Sequence, residues 1–296
     1  MFVRVALRNF PTMNFYWHLL FTVANWIPTI LAYNLIFGKG KVLHFGPMGV
    51  ILVSSYASVL TLQATGSFVL AFFAGLSGAT IISALFAWLS FRLEPDGFGM
   101  LSIAVHLMIL AIVLNWTSLT RGALGIPKIP RMEALESLPA IALTMTAIAV
   151  LWIMFMLWLD RSSFGRQIAA LAEHEWHAQS LGISRIRIHL IAFLIAGLAA
   201  TIVSLFYVQY VGLLHPNDYL FPTFIFYVMC VVAGNPGSVK GVTLSIIALT
   251  LLKEGLRFID IPANIKGPTL LIIFGLILFA AVWWRRDTIF PVQRSV

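Results

Sequence analysis

Charge is what this sequence has least of. Only 10% of its 296 residues are Asp, Glu, Lys or Arg, against about 25% in ordinary soluble domains, too little polar side chain to cover a water-facing surface of this size. A soluble enzyme and a charged disordered chain are both excluded. Cysteine is nearly absent as well. The one residue, Cys230, sits inside an apolar run, so neither an internal disulfide nor a thiolate metal cluster can form. All eleven acidic residues fall between the long apolar stretches or at their ends, which weighs against a stand-alone carrier that binds a coupling ion or proton on a buried carboxylate. A Gly-x-x-x-x-Gly-Lys-Ser/Thr loop is missing too, the nearest run being Gly38-Lys39-Gly40-Lys41, so any ATP energy must arrive from a partner.

What the chain has instead is hydrophobic residues, 60% of the total, with a mean hydropathy of +0.95. Lipid is the expected solvent, and a single all-α polytopic membrane domain over 1–296 is the expected fold. A helix needs about 20 apolar residues to cross the hydrocarbon core. Scanning at that length predicts about nine spans, near 15–37, 42–62, 67–91, 98–116, 138–159, 189–214, 219–234, 239–252 and 268–284, the seventh and eighth short. Trp17, Trp88, Trp116, Trp158, Trp283 and Trp284 lie near span ends, where an indole can keep its N–H wet. Arg4 and Arg8 precede the first stretch, which lacks a small-x-small cleavage site and is read as a span.

The 19 Lys+Arg exceed the 11 Asp+Glu, but they are scattered through short loops. That pattern orients spans and forms no nucleic-acid stripe. Placing the basic tail Arg285, Arg286, Arg294 and the loop 160–188 in the cytoplasm puts 117–137, 253–267 and the amino terminus outside. Small residues recur in the sixth span at Ala192, Ala196, Ala200 and Ser204, and earlier at Ala71 and Gly75. Such stripes serve bundle packing or a subunit interface.

Catalytic, cofactor and metal sites are not expected. His18 and His106 lie inside spans and are either proton relays or neutral residues bonded to a neighbouring helix. The run Glu173-His174-Glu175-Trp176-His177 spaces its histidines three apart rather than the four of a zinc helix. The loop 160–188 has helical pattern: Ser162 or Ser163 can cap, the alanine-rich stretch 166–180 propagates, and Gly182 can terminate. Ile168, Leu171, Trp176 and Leu181 make it more apolar than a solvated connector needs, as expected of a docking surface for another protein or the membrane interface.

Ser163-Phe-Gly-Arg166 followed by Glu175-x-x-Ala178-x-x-x-Gly182 resembles the cytoplasmic coupling loop of ABC importer permeases, above all the branched-chain amino-acid (or urea and short-amide) permeases. Gly38, Gly46 and Tyr56 are similar to that family's glycine-rich second-span run, and Thr120-x-Gly122-x-x-Gly125-Ile126 to its T-x-G-x-x-G-I segment. Val231 to Gly241, containing Gly234, Asn235, Gly237 and Ser238, resembles its V-V-L-G-G-x-G-S-x-x-G signature. Departures are His44, Pro47 and Ser54 in the second-span motif and Asn235 for a signature glycine. The resemblance implies a permease subunit working with a second permease, two cytoplasmic ABC ATPases and a periplasmic or lipid-anchored solute-binding protein, in membrane lipid of a bacterial or archaeal plasma membrane. It implies that Glu175, Trp176, Ala178 and Gly182 couple to the ATPases, and that His44, Gly46, Tyr56, Thr120, Gly122, Gly234, Asn235, Gly237 and Ser238 border the passage. A stand-alone secondary transporter or channel, and a purely structural scaffold, are the rival readings.

Overall fold

A computed structural model describes residues 13–255 together with 269, 272, 273, 275–277, 279, 280 and 283. Arg4, Arg8, the basic tail, most of the 253–267 loop and much of the ninth expected span, 268–284, lie outside the described residues. Among those described, seven helices are long and apolar enough to cross a membrane, so the chain is an all-α polytopic membrane protein.

The first helix, α1, is Met13–Tyr33, continued by a π-helical Asn34–Lys39. Then follow α2 (Pro47–Thr65), α3 (Phe68–Arg92), α4 (Pro95–Asn115) and a one-turn α5 (Thr117–Thr120). After a loop come α6 (Leu138–Arg161), α7 (Ser163–Glu173), α8 (Glu175–Ser180) and α9 (Arg185–Val211). A 3-10 turn at Pro216–Tyr219 leads into α10 (Phe221–Ala233), and α11 is Val239–Gly255. The expected eighth span is helical over the described residues from Val239 to Gly255.

Local chemistry sets the ends. Ser67, Ser137, Ser162 and Ser184 each cap a helix, accepting a hydrogen bond from the backbone N–H three residues on. Gly66 and Gly212 close α2 and α9 at φ +67° and +73°, a conformation glycine adopts without a Cβ penalty. One boundary differs from expectation. The second span starts at Pro47 rather than 42, because 41–46 runs without helical structure before the proline, which needs no N–H partner in a first turn.

The core helix is α9, which packs on α1, α2 and α3. Gly75 meets Ser58 of α2, and Gly197 of α9 meets Ser83 of α3, so closely that a Cβ at either glycine would overlap a hydroxyl. The small-residue stripe is thus used inside the chain: Ala192 and Ala200 are buried, and Ser204 and Thr201 bond Ser54 of α2. Outward faces of α3 and α6, including Phe73, Ile81, Leu151 and Trp158, are exposed and apolar, as lipid or another subunit would require.

Two opposite ends result. One gathers the 160–185 loop, the end of α1 and the α3–α4 turn, through the Lys39–Asp160 ion pair and the Arg185 bond to the Ser90 carbonyl. The other pairs strands β1 (Ile126–Pro127) and β2 (Leu213–Leu214) and ties Arg131 to the Gln209 and Tyr210 carbonyls. The loops 117–137 and 160–188 therefore stand at opposite ends, as the sequence implies.

Candidate functional site

The 160–188 segment folds as two short helices. Ser162 starts α7, and the expected 166–180 run breaks at His174, whose extended backbone (φ −146°) turns the chain into α8. Glu175 accepts from Arg185 at 2.9 Å and from Gln179 at 2.9 Å, and Arg185 also grips α3 at Ser90. Trp176 is 85% exposed and Leu181 81% exposed. Gly182 has φ +81° with open space around it, while Ile183 N–H donates to the Ala178 carbonyl at 3.1 Å, a helix-ending turn that favours glycine. Ala178 lies on the inner side of this pair. It is 3% exposed and faces inward with Ile168 and Leu171, because amphipathic α7 and α8 bury one face and leave Trp176 and Leu181 on the other.

The glycine-rich motifs build turns. Thr120 Oγ1 donates to the Val113 and Trp116 carbonyls and accepts from Gly122 N–H, while Gly122 and Gly125, at φ +57° and +67°, press against Leu114 and Leu214. Gly234 and Gly241 bring α10 and α11 into backbone contact. Asn235 and Gly237 turn the chain at φ +76° and +87°. Ser238 accepts from Gly241 N–H, and Gly237 N–H donates to Asn34 Oδ1 at 2.8 Å. Gly46 lies against Phe86 and the Ser102 carbonyl, and Tyr56 is buried in α2. His44 is packed among Phe86, Phe98 and Phe193 at a void of about 20 Å³, room for roughly one water.

Two larger cavities lie elsewhere: one of about 490 Å³ at the 160–188 end, whose lining includes Lys41, Glu173, Glu175 and Arg185, and a second between α1, α2, α9, α10 and α11 that none of those nine residues lines. The second cavity has a volume of about 220 Å³, many times the minimum that one water needs. α1 supplies Asn25 and Trp26, α2 supplies Met48 and Ile51, and α9 supplies Val203, Ser204 and Tyr207. The 216–219 turn adds Asp218 and Tyr219, and Thr223, Tyr227 and Lys253 complete it from α10 and α11. Tyr219 donates to Ser55, and Tyr227 to Thr29, both at 2.7 Å, fixing two walls. Asn25 Oδ1 and Trp26 Nε1 are buried with no partner among the described residues, an arrangement that is rare unless a ligand or water supplies one. Lys253 stands 5.8 Å over Trp26 and 5.7 Å over Phe226. These residues come from separate elements and were missed in the sequence. The faint signal was Asn25 inside an apolar run, a polar residue that hydrocarbon disfavours. Of the two span histidines, His18 is bonded to Tyr210 of α9 at 2.5 Å and faces Glu254, whereas His106 is buried against Gly49 of α2.

Comparison with known proteins bears on the whole bundle. The chain is similar to the high-affinity branched-chain amino acid transport system permease protein LivM of Salmonella typhimurium and to that of Escherichia coli. Each is 24% identical over 295 aligned positions, covering 89% of this chain and 67% of the relative. Its fold is similar to a solved structure of PsaBC from Streptococcus pneumoniae in complex with Fab, with a TM-score of 0.51 and 13% identity over 95% of both chains. The family model for the permease component of branched-chain amino acid transport systems matches residues 18–282. The chain therefore belongs to the branched-chain amino-acid transport permease family.

Proposed function

We propose that the chain is the membrane-spanning permease subunit of an ATP-driven ABC importer for small polar solutes, branched-chain amino acids foremost. It works in a bacterial or archaeal plasma membrane with a second permease subunit, two cytoplasmic ATPases and a periplasmic or lipid-anchored binding protein. The observation that carries this reading is the α7–α8 pair: an apolar tip of Trp176 and Leu181 projecting from a rigid base. Exposed aromatic and aliphatic side chains on an ordered helix are what a partner groove recognises. The base is built to transmit force. Glu175 and Arg185 join it to the start of α9, Arg185 reaches α3, and Ile168 lies beneath Gly40 at the end of α1. ATPase closure would push the tip and tilt these three helices together, converting nucleotide binding into alternating access. In this reading Glu175, Trp176 and Gly182 form the contact, and Ala178 supports it from below.

The test is uptake by the assembled complex in proteoliposomes. Trp176→Ala removes an anchor whose loss typically costs more than about 2 kcal/mol at an interface. Gly182→Asp places a charge and a Cβ at φ +81°. Both should insert and fold normally while losing ATP-dependent uptake and the stimulation of ATPase activity by loaded binding protein. Wild-type rates in both would overturn the coupling role and favour a stand-alone carrier.

A further inference from the structure

We infer that the cavity walled by Asp218 and Lys253 holds an α-amino acid zwitterion in transit, Asp218 facing its ammonium group and Lys253 its carboxylate. This rests on the importer reading above and adds a site to it. The ion pairs of the described residues are His18–Glu254, Lys39–Asp160 and Arg185–Glu175, so the two cavity charges line one space without neutralising each other. Beside Asp218, the His215 ring accepts from Asn217 N–H on Nδ1, and Tyr207 of the same lining donates its hydroxyl to the Asp218 carboxylate, leaving the carboxylate further acceptor capacity toward the cavity. Lys253 rests over the Trp26 and Phe226 rings and, among the described residues, in no ion pair.

Two further groups fit the same guest. Asn25 is 5% exposed, and among the described residues its Oδ1 lacks a donor and the Trp26 indole N–H an acceptor. An ammonium supplies the first and a carboxylate the second, relieving two buried polar atoms at once. The lining also includes Met48, Ile51 and Val203, apolar and buried, suited to an aliphatic side chain. A passage must also let its cargo leave, so a few well-placed contacts at about 220 Å³ serve better than a tight cage.

The experiment uses the full importer in proteoliposomes, reading radiolabelled leucine uptake and ATPase stimulation by loaded binding protein in parallel. Asp218→Asn and Lys253→Gln should each lower leucine uptake by about tenfold or more, and Trp26→Phe, which removes the indole N–H together with part of the ring face under Lys253, by a few-fold. All three should keep the ATPase stimulation, since they lie far from the coupling tip. Retained stimulation also shows that each variant complex has folded. Wild-type leucine uptake in all three variants overturns the inference and leaves the importer reading standing. A wild-type complex that moves no amino acid overturns that reading, and the inference falls with it.

Discussion

Glycine occupies two different kinds of position in this chain, and the difference predicts how each tolerates a methyl group. At Gly182 the backbone requires φ +81° but nothing lies within reach of a Cβ. Ala there should cost only the left-handed strain, about 1 kcal/mol. At Gly241 a Cβ would collide with the Gly234 carbonyl, and crowding a packed backbone contact costs about 1–3 kcal/mol or more. Thermal unfolding of the purified chain in detergent, followed by tryptophan fluorescence, should show Gly241→Ala melting well below Gly182→Ala. The reverse order would mean that the α10–α11 contact is looser than the geometry states.

Helix by helix, the sequence announces what hydrocarbon demands and conceals what tertiary contact decides. Apolar run length located α3, α4, α6 and α9 to within a few residues, because each unbroken stretch must bury its own backbone bonds in lipid. The start of α2 was not legible: Val42, Leu43 and Phe45 continue the apolar run, yet the segment is not helical. The motif residues were easy to find and marked turns, since positive φ and backbone contact restrict residue choice locally. The cavity was hidden because Asn25, Tyr207, Asp218 and Lys253 have no common spacing and meet only after folding. Sidedness is testable at this scale. Ser137 and Ser163 are both exposed, at opposite ends of the bundle. With Cys230 replaced, an impermeant thiol reagent on intact cells should label Ser137→Cys and spare Ser163→Cys. The opposite labelling would invert the topology and remove the coupling role.

Taken whole, the bundle has two packed groups, α1 with α6 and α11, and α2 with α3, joined through α9. The cavity lies where they adjoin, the place that alternating access must open and close. Having no phosphate-cradling loop, the purified chain alone should show no stoichiometric ATP binding in equilibrium dialysis. Saturable binding would contradict the division of labour proposed above. The opposed charges of Asp218 and Lys253 bear, finally, on electricity. A guest that satisfies both carries no net charge, and a site neutral in sum gives the membrane potential little to pull on. A single translocated charge would feel about 2.3 kcal/mol per 100 mV, a large change in rate. Leucine uptake should therefore proceed equally fast in vesicles held at zero and at strongly negative potential, and a steep voltage dependence would show that one of the two charges travels unmatched.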